Sequence, residues 1–212
     1  MKTELYLVRH GQTEWNRQRR LQGIMDSPLT KEGLQQAGRV AGRLAGIHFD
    51  AIYSSDLGRA METARLITSK LNGMQIFPDA RLQERNFGIF HGYNWEEIMS
   101  RYPEEGRMEK EARPDYVIPG GESRQEMLGR VVAFLDDISR QHPKGRVLAV
   151  SHGGVLSLLI RYMLQIPFNS PRRYYLPNAA LNIFEFSEGK WFVKTLGEIS
   201  FHETEDLSDG IQ

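Results

Sequence analysis

Hydrophobic residues occur along the chain in two alternating patterns: short continuous runs, and longer stretches with apolar positions every three or four residues. The short runs predict buried strands and the longer stretches predict amphipathic helices. The predicted strands are 5–8, 51–53, 76–77 and 147–150, and the predicted helices are 30–44, 57–71, 95–102, 123–141 and 155–164. This alternation is typical of an α/β fold with a mostly parallel sheet and helices on both faces.

Two further apolar runs, 180–186 and 191–196, stand close together near the end of the chain. Between them, Ser187-Glu188-Gly189 has the small, flexible composition of a tight turn, so the segment predicts a β-hairpin. Because the two strands of a hairpin are antiparallel, we expect it at an edge of the otherwise parallel sheet.

The length of 212 residues suits one domain with a single core, which we assign to residues 1–202. Within it, residues 95–118 carry a highly charged stretch and predict an insertion. That insertion is either an exposed helical elaboration or a lid over a pocket. Residues 203–212 are acidic and polar, and we expect them to form a flexible tail. The sequence leaves open whether the protein is a monomer or a homodimer.

Composition excludes several classes of protein. The chain has 27 basic and 27 acidic side chains, which excludes a strongly basic nucleic-acid-binding protein and disfavours attachment to an anionic membrane. The absence of cysteine excludes disulfides, thiolate catalysis and cysteine-ligated metals. No apolar run approaches the ~18 residues that span a bilayer, and the run 5–8 is too short for a signal peptide. We therefore expect a cytoplasmic protein.

Polar side chains follow three of the predicted strands where each strand ends. Arg9 and His10 follow the first strand, Arg59 lies just beyond the second, and His152 follows the strand 147–150. Because the carboxyl ends of parallel strands share one edge of the sheet, these four side chains are expected to meet there. Arginine presents a planar fork that matches phosphate oxygens, so the cluster predicts a small substrate that carries a phosphate group.

Other residues near this edge are candidates for the same pocket. Glu84 follows the short strand 76–77 and is the nearest carboxyl group that could act as a general acid. Asn16, Gln22 and the amide of Gly23 are expected to hold further phosphate oxygens. The helix after Gly153 is expected to direct its N-terminal amide groups at the anion.

Histidine and glutamate are also ligands of zinc, which gives the cluster a second interpretation. Arg9 and Arg59 at the same edge would repel a divalent cation, so we expect neither a metal nor another cofactor. From their charge alone, Arg85, Lys110 and Arg113 are candidates to bind a second anionic group of the substrate.

Several motifs together resemble those of the histidine phosphatase superfamily, in its phosphoglycerate-mutase-like branch. The first is Leu7-Val8-Arg9-His10-Gly11-Gln12-Thr13-Glu14-Trp15-Asn16, and the second is Ser54-Ser55-Asp56-Leu57-Gly58-Arg59-Ala60-Met61-Glu62-Thr63-Ala64. Segments 26–33, 119–123 and 151–153, with Glu84, match as well, so the likeness covers about residues 3–165. The resemblance implies a phosphoglycerate-mutase-like fold.

The resemblance also implies a role for each matching position. His10 would accept the phosphoryl group, and Glu84 would donate the proton to the leaving group. Arg9, Arg59 and His152 would bind the phosphate. The remaining pocket positions would be Asn16, Gln22, Gly23 and Gly153. The family performs this chemistry without a metal.

Within the family, hydrolysis competes with transfer of phosphate within phosphoglycerate. Asn86 stands where mutases usually carry histidine, Trp95 stands where they carry lysine, and the region of the lid is shorter than theirs. We therefore expect a phosphatase of the broad-specificity type that acts on small phosphorylated metabolites. A cofactor-dependent phosphoglycerate mutase is the alternative, and a non-catalytic phosphate-binding module is the second alternative.

Overall fold

A computed structural model describes residues 2–199, which form six strands and seven α-helices. In chain order these are β1 (Thr3–Arg9), α1 (Glu14–Arg17), α2 (Lys31–Leu44), β2 (Ala51–Ser54), α3 (Gly58–Thr68), β3 (Ile76–Pro78), α4 (Trp95–Arg101), α5 (Pro103–Lys110), α6 (Arg124–Gln141), β4 (Arg146–Ser151), α7 (Gly153–Leu164), β5 (Leu181–Ser187) and β6 (Lys190–Glu198). Short 3-10 turns occur at Ala80–Leu82 and Gly88–Phe90.

The strands form one sheet in the order β3-β2-β4-β1-β5-β6. The first four strands of the chain pair in parallel, whereas β5 is antiparallel to β1 and β6 is antiparallel to β5. The predicted mostly parallel sheet with an antiparallel hairpin at one edge is therefore confirmed. In this order β4 lies between β1 and β2, so the three polar strand exits are adjacent.

Helices cover both faces of the sheet, and alternate residues of each central strand face opposite layers. Leu5 and Leu7 of β1 pack with the apolar faces of α6 and α7. Tyr6 and Val8 pack with α2 and α3 on the other side. These central side chains are almost fully buried, which explains why β1 and β4 read as continuous apolar runs rather than alternating ones.

The charged insertion shares a small core with the rest of the fold. Its residues Ile98 and Ile118 are buried in one cluster with Leu21 and Phe90, which lie outside the insertion. One acidic side chain of the charged stretch, Glu109, is also buried, with only 4% of its surface exposed. The insertion therefore packs against the rest of the fold. Its movement as a lid and the single-domain assignment stay predictions, and the predicted tail 203–212 lies outside the described residues.

The structure differs from the sequence pattern in three local features. Helix α1 was not predicted; it is one turn long and Thr13 caps it in a reciprocal box with Asn16. Helix α3 ends at Thr68, before Leu71, because the chain turns there towards Gly73 with a positive φ. Leu34 has the spacing of the apolar positions of α2 but is 40% exposed. Gly33 packs against the loop after β1 instead and sets which face of α2 is buried.

Among residues 2–199, no helix combines the length and the apolar composition required to cross a bilayer.

Gly33 offers a test of how the loop after β1 is held. A Cβ at this position would overlap the carbonyl oxygen of Gln12, whereas a Cβ at Gly38 of the same helix meets no atom within 4 Å. We expect Gly33→Ala to lower the free energy of unfolding by about 1–3 kcal/mol, because backbone atoms must move apart. Gly38→Ala should raise it by about 0.5–1 kcal/mol, since alanine favours the helix.

Denaturant titration of both variants measures the two changes. Equal and small effects would show that Gly33 is not closely packed against the loop.

Candidate active site

The candidate nucleophile His10 directly follows β1. Its amide donates to the carbonyl of Ser151 at 2.9 Å, which joins the exits of β1 and β4. Its ring is buried, with 3% of the residue exposed, and Nδ1 lies 2.8 Å from the carbonyl oxygen of Gly11. A carbonyl only accepts, so Nδ1 carries the proton and Nε2 keeps its lone pair.

Arg59 brings a cation to that lone pair from the first turn of α3. Its Nε lies 3.3 Å from Nε2 of His10. Its Nη atoms donate to the carbonyls of Met25 and Gly23, each at 2.6 Å, and to the carboxylate of Asp26 at 2.9 Å. Asp26 also accepts from the Gly58 amide at 2.6 Å and so caps α3. These contacts fix the guanidinium beside the imidazole.

His152 follows β4 and faces His10, with ring centroids 5.2 Å apart. Its Nε2 lies 2.8 Å from the Ser55 hydroxyl, and that hydroxyl oxygen accepts from the Leu57 amide at 3.3 Å. We assign the Ser55 hydroxyl as the donor to Nε2 of His152, and in that tautomer Nδ1 carries the ring proton. Nδ1 is buried and, among residues 2–199, has no hydrogen-bond partner, so it is available to donate to an anion.

Glu84 is held at the site by two backbone amides. One carboxylate oxygen accepts from Gly154 at 2.9 Å, and the other accepts from Arg85 at 2.9 Å. A Cβ at Gly154 would overlap this carboxylate. The sequence predicts that the N-terminal amides of α7 face the bound anion. The Gly154 amide instead donates to the Glu84 carboxylate, so this donor is not available to a substrate anion.

Arg130 fixes the backbone that carries Glu84. Its Nη1 donates to the carbonyls of Arg81 and Gln83 at 2.8 and 2.7 Å, and its Nη2 donates to that of Glu84 at 3.2 Å. The same guanidinium forms a bidentate ion pair with Glu122 at 2.7 and 2.9 Å. The charge of Arg130 is thereby balanced while its fork holds three carbonyls in place.

A segment from the far end of the chain closes the site. Arg9 donates to the carbonyl of Leu176. The side-chain Nδ2 of Asn178 donates to the carbonyl of His10 at 3.1 Å and to Oδ1 of Asn16 at 3.2 Å. Gly153 lies against Arg9, since a Cβ there would be 3.2 Å from its Nε.

The structure brings Arg9, His10, Arg59, Glu84 and His152 together, as the sequence predicted, and Gly153 adjoins them. Asn16 and Gly23 reach the cluster through the contacts that their oxygens make with Asn178 and Arg59. Gln22 precedes Gly23 in the chain and is buried, and its Oε1 has no hydrogen-bond partner among the described residues. The catalytic and substrate-binding roles of all these residues stay predictions.

Burial and positive charge set the protonation of the two histidines. Desolvation lowers the pKa of His10 well below its ordinary value, and the charges of Arg59 and Arg9 lower it further. Desolvation likewise lowers the pKa of His152 well below the ordinary value, helped by Arg59 and His10. Both imidazoles are therefore neutral at pH 7, the state in which Nε2 of His10 is a nucleophile.

A cavity of about 680 Å³ opens beside this cluster. Arg9, Glu84 and Gly153 line it, whereas His10, Arg59, His152, Asn16, Gln22 and Gly23 do not contribute to its lining. Trp95 lines the cavity and also packs against Phe90. The segment 168–175, which has no place in the predicted motifs, forms much of the remaining lining.

Among residues 2–199, no three histidine, cysteine, aspartate or glutamate side chains lie close enough together to hold a metal ion.

Sequence reasoning missed the residues that hold the predicted ones in place. Asp26 and Ser55 lie inside the matched motifs, so their position there was the available signal. Arg130 and Asn178 lie outside any motif that we singled out, and their contacts span 46 and 168 residues of chain.

Comparison with known proteins gives consistent matches over almost the whole chain. The family model of the histidine phosphatase superfamily (branch 1) matches residues 5–199. The chain is 39% identical to the Escherichia coli O1:K1 / APEC protein named Probable phosphoglycerate mutase GpmB, over 97% of this chain and 98% of that protein.

Solved structures agree on the fold. Bacillus stearothermophilus YhfR aligns with a TM-score of 0.86 and 35% identity over 94% of this chain and 98% of that one. The alpha-ribazole phosphatase from Shigella flexneri aligns with a TM-score of 0.82 and 28% identity over 92% and 96% of the two chains. The predicted phosphoglycerate-mutase-like architecture is confirmed.

The lowered pKa values of His10 and His152 predict how stability depends on pH. Below about pH 6.5 the unfolded chain binds protons at these histidines and the folded chain does not. The free energy of unfolding should therefore fall with decreasing pH, by up to about 1.4 kcal/mol per pH unit for each histidine. Urea denaturation across this range measures the slope.

His10→Gln removes one of the two histidines and should make that slope shallower. An unchanged slope in the variant would contradict the assignment of a neutral buried His10.

Proposed function

Because the chain belongs to the histidine phosphatase superfamily, we propose that it is a phosphomonoester hydrolase that acts through a phosphohistidine at His10. The observation that carries the proposal is the lone pair on Nε2 of His10, next to Arg59 and across from His152. Glu84 stands at the same site as a candidate proton donor. The reaction is proposed to need no metal.

In the first step, Nε2 of His10 attacks the phosphorus atom and the bond from phosphorus to the ester oxygen breaks. The proton on Glu84 passes to the departing oxygen, so the alcohol leaves neutral. The imidazole gains positive charge as the new bond forms, and the carbonyl of Gly11 stabilises it by accepting from Nδ1.

The transition state spreads negative charge over the three peripheral phosphoryl oxygens. Arg9, Arg59 and Nδ1 of His152 are donors from three different strand exits, which is how they can surround those oxygens. They are held in position before substrate binds, so little reorganisation is required during the reaction.

In the second step, the Glu84 carboxylate takes a proton from water as the water oxygen attacks the phosphohistidine. The bond from phosphorus to Nε2 breaks, which releases inorganic phosphate and restores neutral His10. Glu84 is again protonated, ready for the next ester. The backbone amides of Gly154 and Arg85 hold its carboxylate in place during both steps.

Phosphoglycerate mutase activity is the competing function, and the Escherichia coli relative, named as a probable phosphoglycerate mutase, favours it. The Shigella flexneri structure is named as a phosphatase. In this chain Trp95, in place of the lysine usual in mutases, lines the cavity with its apolar ring. An indole ring offers no positive charge to the carboxylate of phosphoglycerate, so Trp95 at this position supports hydrolysis.

A non-catalytic phosphate-binding module is the remaining alternative. Binding alone would require the arginines but not a neutral histidine, with the lone pair of Nε2 at the site, beside a positioned carboxyl group. The joint presence of His10 and Glu84 therefore supports an enzyme. A cavity of about 680 Å³ supports a small phosphorylated metabolite as its substrate.

The proposal predicts that the protein hydrolyses p-nitrophenyl phosphate in the presence of a strong chelator. His10→Ala should lower kcat by at least about a thousandfold, because the nucleophile is lost. His48→Ala changes an exposed histidine far from the site and should leave kcat unchanged. Release of nitrophenol measures all three.

Incubation with 3-phosphoglycerate then separates the two activities. Inorganic phosphate as the product supports the hydrolase, and the 2-phospho isomer as the product supports the mutase. Full activity in His10→Ala would contradict both.

A further inference from the structure

Three charged side chains form a buried triad on one wall of the cavity: Arg85, Glu109 and Arg124. Nη1 of Arg85 donates to Glu109 at 2.7 Å, and both Nη atoms of Arg124 also donate to the Glu109 carboxylate. The side chains of Arg85 and Glu109 are 4% and 5% exposed, and that of Arg124 is 19% exposed. One carboxylate thus serves two guanidinium groups.

The triad lies where the alcohol portion of a bound substrate would extend. Arg85 follows Glu84 in the chain, and its amide donates to the Glu84 carboxylate at 2.9 Å. Arg9 and Glu84 line the same cavity as the triad. We therefore expect a phosphoryl group held at His10 to place the rest of the ester in this cavity, near the triad.

Without Glu109, the two guanidinium groups would form a ready site for a second carboxylate or phosphate. Glu109 already occupies the donors that face it. The remaining donors of Arg85 contact the carbonyls of Glu122 at 2.7 Å and Tyr116 at 3.3 Å. Of the three cations that the sequence analysis placed at a second anion, Arg113 pairs with Asp115 and does not line the cavity.

The remaining lining includes five apolar or aromatic side chains, those of Leu21, Phe87, Trp95, Leu158 and Phe168. It also includes Lys110, Arg161, Arg172 and Arg173. Lys110 and Arg173 are exposed, so solvent and salt screen their charges, and Arg161 donates to the carbonyls of Pro167 and Ser170. Among the described lining residues the acidic side chains are Glu84 and Glu109, so Glu109 is the acid that a substrate meets beyond its phosphate.

We propose that Glu109 determines specificity: it is a built-in counterion that occupies donors of Arg85 and Arg124, weakens the binding of a second acidic group, and so shifts the preference of the site towards phosphate esters of uncharged alcohols. This inference rests on the proposed hydrolase function and names the class of substrate that the site takes. Helix α5 carries Glu109, so the charged insertion contributes this selection directly.

A matched pair of substrates tests the proposal: phenyl phosphate and 4-carboxyphenyl phosphate, which differ by one carboxylate. The quantity measured is the ratio of their kcat/KM values. Glu109→Gln should lower the preference for phenyl phosphate on the order of tenfold, because it releases two cations towards the added carboxylate.

Arg124→Gln should raise the same preference, by about threefold, since it leaves Glu109 paired with one cation only. This shift in the opposite direction tests the role of Glu109 even if the Glu109→Gln variant does not fold. Glu97→Gln is the control: Glu97 pairs with Arg20 on the same insertion at 2.7 Å, and neither side chain lines the cavity. Its ratio should equal that of the unaltered protein.

Ratios in Arg124→Gln and Glu109→Gln within about twofold of the unaltered protein would overturn the proposal. Binding of phenylphosphonate and 4-carboxyphenylphosphonate, measured by calorimetry, gives the same comparison without turnover. If neither ester is hydrolysed but the phosphonate affinities shift as stated, the hydrolase function fails and the role of Glu109 stands.

Discussion

The site depends on backbone pairing that continues past the ends of the parallel strands. The amide of His10 donates to Ser151 and the amide of Ser55 donates to Val150, each at 2.9 Å, so β4 holds the exits of β1 and β2 on its two sides. The Ser151 hydroxyl extends the connection to the carbonyl of Leu82, two residues before Glu84, at 2.7 Å. Residues distant in sequence therefore reach one point through hydrogen bonds that the sheet itself supplies.

Burial then gives the converged side chains their chemistry. Neutral histidines are stable there because desolvation and nearby arginines both oppose protonation. The cations remain because acids and carbonyls outside the reacting centre compensate them: Asp26 for Arg59, Glu122 for Arg130, and Glu109 for Arg85 and Arg124. The site thus keeps positive charge where a phosphate would bind, and Glu109 reduces that charge where the remainder of the substrate would lie.

Sequence could predict the parts of this arrangement that depend on local pattern. The strands, their mostly parallel arrangement and the polar exits follow from periodicity and from residues adjacent in the chain, and that reasoning brought His10 and His152 together. The burial of Glu109 could not be predicted, because α5 reads as an exposed charged helix until Arg85 and Arg124 are known to face it. Asn178 and the wall 168–175 were missed for the same reason, since only tertiary contacts connect them to the site.

The central claim is that Nε2 of His10 accepts the phosphoryl group and that Glu84 is the general base for the water that removes it. The most direct measurement is rapid-quench analysis of Glu84→Gln with p-nitrophenyl phosphate, followed by mapping of the phosphate under alkaline conditions. An activated leaving group needs little help from an acid, whereas the attack of water still lacks its base. The account predicts a burst of about one nitrophenol per enzyme, with phosphate on Nε2 of His10. No burst, or phosphate on another residue, would contradict it.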